Sequence, residues 1–600
     1  MAHIKSIEIY KLHDEWIMKY WPFRSEQKKD RIPVMKLAGF STWCAPAANF
    51  DRMVWGGRIA GIFFLADDYV DSGGMVERIP GFKQAATGLG PLHPEDRAEL
   101  CHDIVFRAIK ATSHPRTFEQ LVKCILGNIF QLPKFQWYKF TEWKIQYGPI
   151  FSLNLAGQPV VVLNTHKVAA DLLNRRSHIY SDRPRFIMAG EILTGGMLIA
   201  FMPYADPWRR MRKASHEGLS VRASEKFKYI QEKEATRLIF HLLRDPDNWD
   251  THLKRSSASV ILSSIYGWKP IEPEDDPLVE RINGLMHRLV RAALPGAYLV
   301  EIFPVMKWFP SWVAKWKREG LGWYRKDTEM FRGFLADVKK EKDTGNCNPC
   351  FSSLLLDNQT KFNLTNDESS WLAGTMFGAG AETTAAALSV FMLAMVSYPD
   401  VMRRAQSEID RVVGCDRPPN FGDHDSLPYI RAMVKEVLRW RPVGPLGLPR
   451  RTVESDWYEG YYIPKGALVI YNTWAMNRDP ILFPDYDEFR PDRFLDSSGQ
   501  IDQTPPDTLS MGHVTYGFGK RICLGMNMAN QSLFIDIAYI LWALNIEQAT
   551  DGQGNFIIPS KTDCVDEGLV VRPVPFKCKI TARSGDAMAV LESTRADEIN

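Results

Sequence analysis

Hydrophobic residues recur at helical spacing through residues 53–65 and again through 100–109, so the first 122 residues predict helices. The register changes at 124–133, CILGNIFQLP, a short apolar and turn-rich run that marks a boundary. Beyond it, YGPIFSLNLAGQPVVVLNT (147–165) sets two strand-like runs either side of Gly157 and Gln158, which predicts a hairpin. From 167 to 397 the pattern is long helices divided by Pro/Gly/Asp loops such as DPDNWD and EPEDDP. Short strands return near the end, as in GLVVRP from Gly568. No internal repeat or low-complexity segment interrupts this. The prediction is a helical segment over 1–122 and a larger domain over 123–600, mainly α with small β-sheets near its two ends.

At 600 residues the chain exceeds one hydrophobic core, so two or more domains are expected. A net charge of only +3, with no Lys/Arg-dense run among stacking aromatics, argues against nucleic acid as a partner. Nine scattered cysteines suit a reducing compartment. Cys347 and Cys350 form a lone CxxC in a polar loop; without a second pair it reads as loop chemistry, not a zinc site. His3 and Lys5 lead into an acidic amphipathic stretch and not a signal peptide. The most apolar early run, 59–66, is far shorter than the roughly 20 residues that span a bilayer, so no membrane anchor is expected there.

The chemistry concentrates in YGFGKRICLG, 516–525. Gly517 and Gly519 permit a tight loop and close approach to a flat ligand, and Gly525 follows the cysteine. Arg521 can pair with a carboxylate. Cys523 precedes an apolar helical stretch, 526–544, whose N-terminus should lower the thiol pKa. A cysteine thiolate so placed is a candidate haem-iron ligand; a buried cysteine in a Gly-rich turn is the alternative. Glu436 and Arg439 share one face of RAMVKEVLRW at i, i+3, with Arg493 of FRPDRF as a third partner of a structural ion pair. FGAGAETTAAAL (377–388) is expected to break a helix. There Ala379 and Gly380 leave room for dioxygen, and Thr383 bonds back to the carbonyl of Ala379. Glu382 is a carboxylate able to relay protons; a helix-packing seam of small residues is the competing reading. PWRRMR sets Trp208 and Arg212 at i, i+4, suited to a propionate.

Taken together and in this order, these motifs resemble the cytochrome P-450 superfamily over roughly the last four-fifths of the chain. The resemblance implies the cytochrome P-450 fold, a haem with Cys523 as axial ligand, and a monooxygenase that inserts one atom of dioxygen into an apolar substrate. Glu382 and Thr383 would deliver protons. Electrons would come from NADPH through a separate cytochrome P-450 reductase, since no flavin or nicotinamide fingerprint is evident. It also implies that Arg450 stands where many relatives have a propionate-binding His, and Tyr516 where Phe is common. By analogy the pocket walls are 187–202, the Phe377 region, 445–448 and the residues around Val565. VMKWFPSWVAKWKREG (305–320) mixes Trp308, Phe309, Trp312 and Trp316 with Lys307, Lys315, Lys317 and Arg318, a composition suited to a membrane headgroup zone. A cytosolic-face, endoplasmic-reticulum association without an evident transmembrane anchor is therefore expected, with a cytoplasmic location as the alternative.

Upstream, FFLADDYVDSGGM (63–75) clusters Asp67, Asp68 and Asp71, oxygen ligands suited to Mg²⁺ carrying a diphosphate. With IPGF nearby, the stretch resembles part of a fungal class I terpene synthase, truncated and all-α. A second metal motif of NxxxSxxxE type is missing from 1–122; Asn366 and Ser370 have its first spacing, but Gly374 replaces the Glu. The leading expectation is a fungal monooxygenase of secondary metabolism, its substrate hinted to be a terpenoid. A bifunctional cyclase–oxygenase, a reductase-independent haem-thiolate isomerase or dehydratase, and a haem sensor are the rivals.

Overall fold

A computed structural model describes residues 135–593, apart from 156, 272–276, 295–296, 303, 503, 567, 586–588 and 591–592. The cyclase-like stretch with Asp67, Asp68 and Asp71 lies outside the described residues. Those described fall into two units: one built from Pro133–Leu153, Pro159–Ala293 and Tyr324–Asn600, the other including Asn154–Gln158 and Leu294–Trp323.

In chain order the principal elements begin with helix α1 (Gln136–Tyr147) and strands β1 (Ile150–Leu155) and β2 (Gln158–Leu163). Helices α2 (Asp206–Leu219), α3 (Lys228–Arg244), α4 (Trp249–Tyr266), α5 (Pro277–Ala293), α6 (Lys315–Asp343), α7 (Asn366–Ser397), α8 (Pro399–Val412) and α9 (Pro428–Trp440) follow. Then come β3 (Arg450–Arg451), β4 (Asp456–Tyr458), β5 (Tyr461–Ile463), β6 (Leu468–Tyr471), α10 (Met526–Ala543), β7 (Leu544–Gln548), β8 (Cys564–Asp566), β9 (Val571–Pro573) and β10 (Cys578–Ala582). The predicted hairpin turns at Gly157, whose φ of 89° suits glycine. It enters a four-stranded sheet ordered β1–β2–β6–β3, in which β2 and β6 run parallel, Val160 opposite Leu468 and Val162 opposite Ile470. Three antiparallel pairs, β4–β5, β7–β10 and β8–β9, complete the β structure among the described residues.

Helix α7 is the spine. Its N-terminus is fixed by a capping box: Thr365 Oγ1 accepts from the Glu368 N–H at 3.1 Å, and Glu368 accepts from the Thr365 N–H at 2.8 Å. Pro399 follows its end. The helix is long and apolar enough to cross a membrane by length and composition alone, but 78% of that stretch is buried in the protein, the mark of a core helix. Neighbours close on it through glycines. A Cβ at Gly374 would run into the Phe331 ring on α6, one at Gly378 would lie 2.7 Å from Met286 on α5, and one at Gly380 2.8 Å from Ile261 on α4. The main core joins α3, α4, α7, α9 and α10 through Leu238, Leu253, Phe391, Val437 and Ile537, all fully buried. Each such side chain stabilises the fold by roughly 1.5–3 kcal/mol relative to exposure.

Cys350 is buried and caps the helix Phe351–Asp357, its sulfur accepting from the Ser353 N–H at 3.3 Å, while the Cys347 thiol donates to the Asn348 carbonyl. Among the described residues no group of three or more His, Cys, Asp or Glu is arranged to hold a metal ion. In 305–320 the aromatics divide: Trp308 (75%) and Trp312 (59%) are exposed, whereas Phe309 and Trp316 are buried. Lys317 Nζ turns back to the carbonyls of Lys307 and Phe309, at 2.8 and 2.9 Å, and burial lowers its pKa.

Candidate functional site around Cys523

The site is assembled from a buried ion-pair scaffold outward. On α9, Glu436 accepts from Arg439 Nε (2.6 Å) and Nη2 (2.8 Å), both side chains fully buried. Arg493 Nε reaches Glu436 Oε1 at 3.1 Å, and the Arg490 N–H reaches the same oxygen at 2.8 Å. Arg439 also donates to the carbonyls of Asn477 (2.8 Å) and Tyr486 (2.9 Å). Asn477, which no sequence signal singled out, carries this frame to the cysteine loop. Its Oδ1 accepts from the Val514 N–H (3.1 Å) and its Nδ2 donates to Thr515 Oγ1 (3.1 Å), while that hydroxyl donates to the Leu438 carbonyl. Two charges removed from water survive here because both carboxylate oxygens of Glu436 have donors.

The loop itself needs its glycines. Gly517 and Gly519 have φ of 77° and 54°, and a Cβ on Gly519 would be driven into the Leu173 carbonyl oxygen. The Gly519 N–H donates to Asn174 Oδ1 at 2.6 Å, a contact that spacing alone did not reveal. The Cys523 N–H donates to the Tyr516 carbonyl at 2.9 Å and closes the loop just before α10. Cys523 lies deep in the protein yet keeps accessible surface. Its thiol pKa is raised: burial outweighs the hydrogen bond from the Gly525 N–H and the charge of Arg212, both of which lower it. This corrects the expected lowering at the helix N-terminus, since desolvation is the larger effect. Burial, and then the sulfur's charge, push the Tyr516 phenol well above its usual range, and its hydroxyl donates to Asn530 Oδ1 at 2.8 Å.

Around the loop the cations converge. Arg450 donates to the Phe518 carbonyl through Nη2 at 2.6 Å, while its buried Nε and Nη1 have no hydrogen-bond partner. Arg212 is pushed down to about 10 by burial, with Cys523 opposing. Arg521, pushed down to about 8 by burial and then by Arg183, donates to the carbonyls of Ser181 (2.9 Å) and Met202 (2.7 Å), and its guanidinium lies 4.2 Å from the Trp208 ring centroid. It therefore pins the 181–202 segment, leaving only part of its fork for a carboxylate. Arg183, missed in the sequence, is buried and ties Ala200 to Leu448 and Pro449 through their carbonyls.

On α7, Thr383 Oγ1 donates to the Ala379 carbonyl at 2.8 Å. Ala379 and Thr383 are exposed and Glu382 is half-buried on a helix otherwise mostly buried. Two expectations need correction. The helix does not break: it runs unbroken over Asn366–Ser397, because the hydroxyl adds to the Ala379 carbonyl without ending the helix. Gly380 does not leave open room either; it admits Ile261, so the packing seam and the open face coexist one residue apart. A separate small pocket is lined by Trp137, Tyr138, Arg441, Pro445, Trp474 and Cys564 among others, and no residue of 516–525 borders it.

Residues 119–580 match the Cytochrome P-450 family profile. The chain belongs to the cytochrome P-450 family. It is 64% identical over 468 residues to cytochrome P-450 monooxygenase 58 of Postia placenta, covering 78% of this chain and 89% of the relative. A cytochrome P-450 monooxygenase of Armillaria gallica is 51% identical over 472 residues, covering 78% and 90%. Among solved structures, a zebra fish cytochrome P-450 with progesterone is 25% identical, with a TM-score of 0.62, covering 74% of this chain and 99% of the other. This P-450 is thus a monooxygenase with a mainly helical fold and small sheets, and its family implies a haem and dioxygen. The residues present fit such a group: an accessible sulfur before α10, orphaned guanidinium donors on Arg450, and a cationic surround suited to two propionates.

Proposed function

We propose that this P-450 is a haem-thiolate monooxygenase of fungal secondary metabolism, with Cys523 as the iron ligand and an apolar substrate, a terpenoid in the first instance. The observation that carries the ligand assignment is the accessible Cys523 sulfur in a loop closed by its own N–H to Tyr516 and braced through Asn477 to the Glu436–Arg439 pair. Bound haem supplies dioxygen activation, driven by electrons from an NADPH-dependent reductase. The chain's own residues do the rest. Trp208, Arg212, Arg450 and Arg521 hold propionate charge. Thr383 keeps its hydroxyl oxygen on the open face of α7 by donating to Ala379, and Glu382 beside it exchanges protons. The small Ala379 side chain keeps that face low. The zebra fish relative solved with progesterone supports an apolar ligand. The cyclase-like character of 63–75 is the reason to begin a screen with terpenoids. The presence of Glu382 and Thr383 favours the oxygenase over an isomerase or dehydratase.

The test is the carbon monoxide difference spectrum of the reduced full-length protein beside Cys523→Ala. A red-shifted thiolate Soret band in the wild type alone supports the assignment. The same band in both proteins, or no haem in the wild type, overturns it.

A further inference from the structure

The small pocket that borders no residue of 516–525 has unused hydrogen-bond donors on its wall. It lies among α1, the turn after α9, the helix Thr473–Met476 and the β8–β9 pair. Trp137 Nε1, Arg441 Nε and Arg572 Nε belong to lining side chains from three separate stretches of the chain. All three atoms are buried and have no hydrogen-bond partner. Trp137 is 4% and Arg572 7% exposed, so neither stands in bulk water. Arg441 is held in place: its guanidinium lies 4.7 Å from the Trp440 ring centroid and 5.0 Å from that of Trp474, and its Nη2 donates to the Lys561 carbonyl. Among the described residues it forms no ion pair. Tyr138 stands beside it, its ring meeting Trp474 edge-on at 5.0 Å and its hydroxyl donating to the Thr562 carbonyl at 3.5 Å. Burial first and the Cys564 thiol second raise the Tyr138 pKa, while Arg441, the Trp137 N–H and Arg478 oppose them. The Trp137 and Arg441 donors therefore converge on one phenol.

A guanidinium keeps its charge at any ordinary pH, so burial does not silence it as it would a lysine, and the charge calls for an anion. The flanking tryptophans meet part of that need by cation–π attraction and leave the Nε–H unused. Cations outnumber acids on the wall, with Arg441, Lys561 and Arg572 against Asp563, and Arg572 already has Asp250 as its partner. Much of the remaining lining is apolar: Val390 and Leu393 of α7, with Pro442, Pro445 and Pro573. A free phosphate, with more charge and more oxygens to satisfy, is poorly served by such walls. A carboxylate brings a single charge for Arg441 and the indole, and its stem suits the apolar lining. We infer that this pocket binds a small organic acid, its carboxylate on Arg441 Nε and Trp137 Nε1 and its apolar stem against Val390 and Leu393. The site is independent of Cys523 and of the haem assigned to it.

The experiment follows thermal melting of the full-length holoprotein against sodium butyrate, with sodium phosphate and sodium chloride matched to it in ionic strength. A ligand that binds only the folded state raises the melting temperature by mass action. In the wild type the rise with butyrate should saturate and exceed that of chloride. The Soret band should not move, which separates this pocket from the haem site. Trp137→Phe keeps an aromatic ring and loses the N–H, and Arg441→Gln loses the charge. Each should weaken the apparent affinity for butyrate tenfold or more, as expected when a charged hydrogen bond is lost. If Arg441→Gln does not fold, Trp137→Phe decides alone. A wild-type response no larger than that of chloride overturns the proposal, as does an affinity unchanged in Trp137→Phe or a Soret shift that tracks the melting response. A tighter response to phosphate than to butyrate also overturns it, because the apolar lining would then contribute nothing.

Discussion

Single residues carry two sharp consequences. Arg439 has its guanidinium spread over Glu436 and the carbonyls of Asn477 and Tyr486 with no exposure to water. Arg439→Ala leaves Glu436 with only Arg493 and the Arg490 N–H, both on Oε1, and removing one partner of a buried pair costs about 3–5 kcal/mol. The expected result is loss of haem-loaded, soluble protein, read by haem content and thermal melting. Asp536 on α10 is the opposite case. It is buried beside Glu234 and Arg255, its Oδ1 has no hydrogen-bond partner, and burial first, then Glu234, push its carboxyl up to about 8. Between about pH 4 and 8 the unfolded chain has released this proton while the folded one keeps it, so this group lowers stability as pH rises through that window and adds nothing further above it. Asp536→Asn should therefore melt higher than wild type at pH 7.5, with the gap closing toward pH 4; a gap that does not change with pH would sink the idea. Glu436, Arg439 and Arg493 were legible in the sequence because their spacing is a motif. Asp536, Asn477 and Arg183 were not: a lone polar residue in a long helix or loop carries no pattern, and its partners lie far away along the chain.

Elements show why small residues had to be read twice. Helix α7 offers glycines to three neighbours, α6, α5 and α4, and Ala379 with Thr383 to open surface. From the sequence, FGAGAETTAAAL permitted either a packing seam or a site, and periodicity could not separate them because both faces are built of small side chains. Position in the packed helix separates them. Gly374→Val should clash with Phe331 and lower the melting temperature, since overpacking typically costs about 1–3 kcal/mol. Ala379→Val adds two carbons on the open face, against three for Gly374→Val. It should leave melting within a few degrees of wild type but weaken imidazole binding to the reduced or oxidised holoprotein by tenfold or more, followed as a Soret shift. Equal melting losses in both variants would remove the distinction between the two faces. The cysteine loop follows the same logic: Gly519→Ala combines a φ of 54° with a Cβ forced into the Leu173 oxygen, so the loop must move, and haem retention in dilution is expected to fall.

At the scale of the whole molecule, the β portion near both ends of the domain was legible because alternation and turns are local signals, whereas the joining of residues 158–163 to 468–471 in one sheet was not, since nothing local encodes a parallel partner some three hundred residues away. Surface chemistry lies between those cases. The segment 305–320 reads as a uniform mixture of aromatics and cations, yet only Trp308 and Trp312 are turned outward, with Val305 beside them. Lys317 donates to the carbonyls of Lys307 and Phe309, Arg318 to those of Ser311 and Trp312, and Lys315 lies 4.0 Å from Glu319, so the segment's cations are tied to its own fold as well as to its surface. Aromatic rings with nearby cations partition to the headgroup layer through apolar burial assisted by attraction to anionic lipid. A membrane-facing surface of this kind would let an apolar substrate arrive from the bilayer and not from water. Flotation of the full-length protein with liposomes of neutral and anionic lipid tests it: Trp308→Ser/Trp312→Ser should lose most of the floated fraction on both compositions, while Lys307→Gln/Lys315→Gln should lose it mainly on anionic vesicles and at low salt. Equal flotation of the tryptophan variant and wild type would place the membrane contact, if flotation persists, on another face of the molecule.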